Sequence, residues 1–260
     1  MEKLKTKKLF LLDMDGTIYL DNDLFEGVPE FLEYIREIGG RYLFLTNNSS
    51  KSVEKYVEKL ASLGINAGCD DFLTSVNATE RQIKNKYKKI YVFGTKALKE
   101  QLAAFPITVK LEDDIDCLLM GFDTELTFQK LEDACILLGR GVDYIATNPD
   151  YVCPTSYGYV PDCGSVSDML FNATGRQPRF IGKPQPDMVY LALEKTGFTA
   201  EESVLIGDRL YTDIACGLNA GISSILVLSG EAAIDDVKNS ETKPDYIFDN
   251  IKSLLEFLKA

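Results

Sequence analysis

The chain is organised around residues 9–17, Leu9-Phe10-Leu11-Leu12-Asp13-Met14-Asp15-Gly16-Thr17. The unbroken apolar run reads as a strand buried on both faces, the pattern found at the centre of a parallel sheet. Two acids follow with one residue between them, then a glycine and a threonine. Ligands of open α/β sheets bind beyond the carboxyl ends of the strands, where Asp13 and Asp15 emerge. Two carboxylates held there repel each other and lose solvation, at a cost on the order of several kcal/mol. A divalent cation is the usual compensation, and hard oxygen donors suit Mg²⁺. A plain strand-to-turn junction also favours Asp and Gly; Thr17 and the apolar strand weigh against that reading.

Further along, the pattern repeats. Apolar residues at helical spacing run from Val28 to Ile38, with Pro29 early and Gly39-Gly40 as a stop. Tyr42-Leu43-Phe44-Leu45 is a second buried-strand run and ends in Thr46-Asn47-Asn48-Ser49-Ser50. A Lys- and Glu-rich helix is expected over Val53–Leu63. Strand, helix, strand, helix is the mark of a doubly wound sheet. From about Leu73 to Arg179 the alternation reads as a separate unit. Its strands are expected at 90–93, 117–120 and 144–146, and its helices at 79–87, 96–104, 128–138 and 165–174. A long irregular passage, 148–164, is read as an ordered loop that contacts substrate. The first pattern then resumes, with Gly182-Lys183-Pro184, a helix over 188–196, the run Ser203–Arg209 with the acid Asp208 at the end of its strand, a strand at 224–228, Tyr246-Ile247-Phe248 and a helix over 251–258.

Composition narrows the classes. A net charge of −12 argues against a nucleic-acid partner, which needs a basic footprint. No apolar run approaches a membrane span of roughly 18–20 residues, and the charged start Met1-Glu2-Lys3-Leu4-Lys5 lacks a signal core. Six cysteines without a C-x-x-C pair, and no histidine, make a zinc site improbable. The cysteines are read as small buried hydrophobes of a protein in the reducing cytoplasm. Without histidine, Ser-His-Asp and Cys-His catalysis are excluded, and acid–base work falls to carboxylates or lysine.

Four strand ends therefore carry Asp13/Asp15, Thr46/Asn47, Lys183 and Asp208/Asp213. In order and spacing they resemble all four motifs of the haloacid dehalogenase (HAD) superfamily, across the whole chain. The likeness is to its Mg²⁺-dependent phosphatases: Asp13-Met14-Asp15-Gly16-Thr17, then Thr46, then Lys183, then Gly207-Asp208 through Asp213. Thr46-Asn47-Asn48, Gly182-Lys183-Pro184 and Gly207–Asp213 look like the NagD-like branch, with its para-nitrophenyl, sugar and nucleotide phosphatases. The resemblance implies an α/β fold: a doubly wound, mostly parallel Rossmann-like core over 1–77 and 181–260, with a smaller α/β cap inserted at 78–180. It implies Asp13 as the nucleophile that forms an aspartyl phosphate, and Asp15 as the acid and base. Asp13, Asp208 and the Asp15 carbonyl are implied as Mg²⁺ ligands, with Asp213 either binding the ion or holding another ligand. Lys183, Thr46 and Asn47 are implied to hold the phosphoryl oxygens.

Core motifs see only phosphate and metal, so the leaving group must be chosen elsewhere. Asn148, Asp150, Asp162 and Gly164 are expected near the non-phosphate part of the substrate, by resemblance to the cap loop of NagD-like enzymes. The expected partner is a small phosphorylated metabolite, and the resemblance implies that caps can pair two copies. Three other readings account for fewer of these residues. A phospho-accepting signalling receiver uses similar residues but would leave the middle unit unexplained. A non-catalytic binding protein would not need every catalytic residue type. A halide-removing enzyme would not need the Asp15 and Asp208 pair.

Overall fold

The computed structural model describes residues 2–155 and 157–260. These divide into two compact units: 2–46, 56–73 and 183–260 form the first, 47–55, 74–155 and 157–182 the second.

The first unit is built on a six-stranded sheet with spatial order Tyr246–Phe248, Ser223–Val227, Ser203–Gly207, Leu9–Asp13, Arg41–Thr46, Phe72–Thr74. Leu9–Asp13 lies in the middle and pairs in parallel with Ser203–Gly207 on one side and Arg41–Thr46 on the other. That position explains the run of apolar residues: Leu9, Phe10, Leu11 and Leu12 are wholly buried, as are Val204, Leu205 and Ile206. Helices carry one apolar stripe each. Val28–Glu37 buries Val28, Phe31, Leu32 and Ile35, and Ile251–Lys259 buries Ile251, Leu254, Leu255 and Leu258. Phe31 meets Phe10 edge-on, with ring centroids 5.6 Å apart, and so ties helix to central strand. Each such side chain removed from water contributes about 1.5–3 kcal/mol.

The second unit has its own five-stranded sheet, in the order Arg179–Phe180, Asp143–Ala146, Cys117–Met120, Ile90–Phe93, Ile107–Thr108, with all pairings parallel. Its helices Phe128–Gly139 and Cys163–Thr174 pack on a core that includes Phe93, Met120, Leu137, Tyr144 and Leu170. Their first turns are capped by Thr127, which accepts from the Lys130 amide, and by Asp162, which accepts from the Cys163 amide.

Several expectations shift. The helix expected at 79–87 runs Ser75–Ile83, because Thr74 accepts from the Asn77 amide and starts it early. The irregular passage 148–164 contains an antiparallel hairpin, Val152–Thr155 with Gly158–Pro161. Its prolines conceal it in the sequence, since proline sits poorly in regular strands. Residues 47–55, expected with the core, group with the second unit. The hydrogen bonds of Ser49 explain this: its hydroxyl meets Thr147 Oγ1 at 2.8 Å and accepts from the Phe122 amide at 2.9 Å. Cys69 is exposed, unlike the buried Cys117, Cys163 and Cys216. Among the described residues no helix is long and apolar enough to cross a membrane.

Candidate active site

Strand register brings the predicted residues together. Asp13 lies opposite Leu45, so Thr46 stands one residue beyond it on the neighbouring strand. On the other side Leu12 lies opposite Ile206, which sets Gly207 and Asp208 at the same edge. After Arg209 the chain makes a wide π-helical turn over Leu210–Ile214, a form common at functional sites. The turn brings Asp213 back, so that its Oδ2 accepts from the Arg209 amide at 3.1 Å.

Lys183 is the hub. Its ammonium donates to Asp13 Oδ1 at 2.5 Å and to Asp213 Oδ1 at 2.7 Å, and it lies 3.4 Å from the Leu45 carbonyl oxygen. With 3% of its side chain exposed, it is deeply buried. Burial opposes its charge, but Asp13 and Asp213 outweigh that and raise its pKa. Burial pushes the Asp13 carboxyl well above the ordinary range; Asp213 and Asp208 add to the rise, and Lys183 opposes it. Asp208 is pushed up to about 7 by burial and by Asp213, against the Glu231 amide that favours its charged form.

Carboxylate oxygens of Asp13, Asp208 and Asp213 lie within 4.8 Å of one another, one from each residue. The three differ in what they still have to offer. Both oxygens of Asp213 accept protein donors. Asp208 Oδ2 accepts from the Glu231 amide at 2.7 Å, while its Oδ1 is buried with no hydrogen-bond partner among the described residues. An orphaned carboxylate oxygen costs roughly 1–3 kcal/mol or more unless something binds it. Two glycines make room for that carboxylate. A Cβ at Gly16, whose φ is +87°, would fall 2.3 Å from Asp208 Oδ2, and one at Gly230 would fall 2.0 Å away. The donor set is all oxygen and fits a hard cation.

Asp15 stands apart from this cluster. Met14, Gly16 and Tyr19 close a tight turn, with the Ile18 amide on the Met14 carbonyl and the Gly16 amide on the Tyr19 carbonyl, both at 2.8 Å. The Tyr19 hydroxyl faces Asp15 Oδ2 at 3.4 Å, and Lys59 Nζ lies 3.8 Å from Asp15 Oδ1. Neither Tyr19 nor Lys59 was singled out by sequence. Tyr19 reads as one more apolar residue, and Lys59 is one charge of many on a Lys- and Glu-rich helix.

In the second unit the candidate substrate residues turn inward. Asn148 is fully buried, and its Nδ2 donates to the Asn47 carbonyl at 2.9 Å. Asp150 accepts from Asn47 Nδ2 at 3.0 Å. Asp162 caps a helix, and burial pushes its carboxyl up to about 7 despite the Cys163 amide. Gly164 is buried and donates its amide to the Asp150 carbonyl at 2.8 Å. What the loop exposes instead is Tyr151, with Tyr157 and Tyr159 on the hairpin. A pocket of about 450 Å³ in this unit is lined by Lys51, Phe122, Leu126, Tyr157 and Val160 among others.

The chain resembles known proteins in sequence and in fold. Residues 10–108 match the haloacid dehalogenase-like hydrolase family, and residues 180–254 match the HAD-hydrolase-like family. The chain is 33% identical over 258 residues to the acid sugar phosphatase of Staphylococcus aureus, covering 98% of this chain and all of that one. The crystal structure of 4-nitrophenylphosphatase from Thermotoga maritima superposes with a TM-score of 0.92 at 43% identity, covering 99% of this chain and 98% of that one. Glycerol phosphate phosphatase from Mycobacterium tuberculosis, in complex with magnesium, gives a TM-score of 0.89 at 30% identity, over 95% of this chain and 77% of that one.

Proposed function

The chain belongs to the haloacid dehalogenase-like hydrolases, in the branch of NagD and the para-nitrophenyl phosphatases, and on that premise we propose that it is a Mg²⁺-dependent phosphatase of small phosphate monoesters. One observation carries the reading. A buried lysine joins Asp13 to Asp213 while Asp208 offers an unpartnered oxygen beside them. Phosphatase activity is also what the names of the relatives say of those proteins, with sugar phosphate, 4-nitrophenyl phosphate and glycerol phosphate as substrates.

Asp13 attacks phosphorus through a carboxylate oxygen, and the bond from phosphorus to the leaving oxygen breaks. Asp15 gives that oxygen a proton. A water then attacks the aspartyl phosphate, Asp15 takes its proton, and inorganic phosphate leaves with Asp13 restored. Lys183 holds Asp13 toward its charged form and, with Thr46 and Asn47, meets the phosphoryl oxygens as charge spreads over them. Asp13 and Asp208, with the Asp15 carbonyl, are the residues that would hold Mg²⁺. Bound there, the ion supplies a second positive charge for the ionised nucleophile and the phosphoryl oxygens. Asp213, with both oxygens engaged by Lys183 and Arg209, holds the lysine in place instead of binding the ion.

Choice among leaving groups is assigned to the inserted unit and its exposed hairpin tyrosines. Two copies pairing through this unit would do so on exposed apolar residues such as Phe128, Met169 and Phe171, which sedimentation velocity reads. The deciding experiment is phosphate release from 4-nitrophenyl phosphate and from a panel of phosphorylated metabolites. Release that requires Mg²⁺ and stops with EDTA supports the reading. Release indifferent to chelation, or none, contradicts it.

A further inference from the structure

Lys59 belongs to the helix Val53–Ser62, away from the four strand-end motifs, yet it reaches the turn that carries Asp15. Its ammonium lies 3.7 Å from the centroid of the Tyr19 ring. Tyr19 is completely buried, so the ring is a fixed platform. Its backbone is fixed as well, since Tyr19 bridges to Asp15 and takes the Gly16 amide on its carbonyl. From that platform the two side chains address opposite oxygens of one carboxylate. The Tyr19 hydroxyl donates toward Asp15 Oδ2, and the Lys59 ammonium sits beside Oδ1. The Asp15 side chain is 41% exposed and without these partners would sample several rotamers.

We propose that Lys59, seated on the Tyr19 ring, is a positioning residue that holds the Asp15 carboxyl in the orientation from which it serves the leaving oxygen. The inference rests on the phosphatase reading and deepens it. A cation over an aromatic face is held there by the ring quadrupole, so the lysine is aimed rather than free to follow solvent. The purpose of aiming is geometric. A general acid acts only from within hydrogen-bond reach of the atom it protonates, and its contribution is roughly 10²- to 10⁴-fold. Lys59 touches no reacting atom.

A prediction separates this role from a structural one. A nitrophenolate leaves without needing a proton, whereas the alkoxide of glycerol phosphate needs one. In Lys59→Met, the single-turnover rate of glycerol release from glycerol 3-phosphate should fall about tenfold or more. The single-turnover rate of nitrophenolate release from 4-nitrophenyl phosphate should stay within about threefold, while hydrolysis of the aspartyl phosphate, which Asp15 serves for either substrate, slows equally for both. Lys59→Arg keeps the charge and the stacking and should restore most of the loss. Tyr19→Phe removes only the hydroxyl and should give a smaller loss in the same direction. Exposed ion pairs contribute little to stability, so Lys59→Met should melt near the wild-type temperature. An equal loss in the two release rates, a change confined to KM, or no change in either rate would overturn the proposal. If the wild-type chain releases phosphate from neither substrate, the phosphatase reading fails and takes this inference with it. If the wild type is active and the variant keeps its ratio of glycerol to nitrophenolate release rates, this inference alone fails.

Discussion

The chain contains two parallel sheets, and what it places at their carboxyl ends differs. In the first unit the strand ends present Asp13, Thr46 and Asp208, with Lys183 among them, and the charges are incompletely neutralised. In the second unit the strands ending at Phe93, Met120 and Ala146 lead into Thr95, Phe122 and Thr147-Asn148. Those residues bind the segment 47–50: Thr95 Oγ1 donates to the Ser50 carbonyl, the Phe122 amide to Ser49 Oγ, and Asn148 Nδ2 to the Asn47 carbonyl. The same architecture therefore holds unbalanced charge in one place and satisfied hydrogen bonds in the other. A strand end in a parallel sheet is a place where function can be built, and only the side chains decide whether it is.

Breaking the first unit's site should have the largest effect. Asp13→Asn should lower kcat by about 10⁴-fold or more, since removing a nucleophile disables the whole catalytic group, while circular dichroism stays unchanged. Lys183→Met should cost about 10²- to 10³-fold in kcat. It also leaves Asp13 and Asp213 buried without their cation, so a denaturant titration should show about 3–5 kcal/mol of lost stability. A third test uses pH. With the carboxyl of Asp208 raised to about 7 by burial and by Asp213, protons compete with metal below that value. Apparent Mg²⁺ affinity should therefore weaken as pH falls through 7, by at most about tenfold per unit for one proton, as activity against Mg²⁺ concentration at several pH values would reveal. Asp208→Asn should remove most of the affinity and the share of that dependence carried by Asp208, leaving the share carried by Asp13. The comparison is sharpened in the second unit, where Ser49→Ala strands the Phe122 amide. It should cost about 1–3 kcal/mol of stability and leave the Mg²⁺ dependence of the remaining activity unchanged.

How much of this was legible in the sequence depends on the distance over which the cause acts. Leu9–Asp13 and Ser203–Gly207 could be read directly, because strands buried on both faces demand continuous apolar runs. Asp208 was readable because it follows a short apolar strand of the first unit, whereas the strand before Lys183, Arg179–Phe180, belongs to the second unit's sheet and not to the first pattern as expected. Thr74, directly after Phe72-Leu73, carries a capping signal, and the helix begins beside it instead of at residue 79. Asn148 and Asp150 are polar residues in a long loop, and polarity alone does not tell a ligand contact from an internal hydrogen bond. Their partner, Asn47, is about a hundred residues away. Lys59 was illegible for the same reason: nothing local distinguishes it from Lys55, and only the fold sets it over Tyr19.

The account depends on Asp13 becoming phosphorylated. Its most direct test is to quench the protein during turnover of a phosphate ester with Mg²⁺, reduce with borohydride, and map the peptides by mass spectrometry. An aspartyl phosphate is reduced to homoserine, so homoserine at position 13, in a yield that vanishes when substrate is omitted, is the predicted result. Homoserine at another acidic position, or none anywhere in a protein that is releasing phosphate, would contradict it.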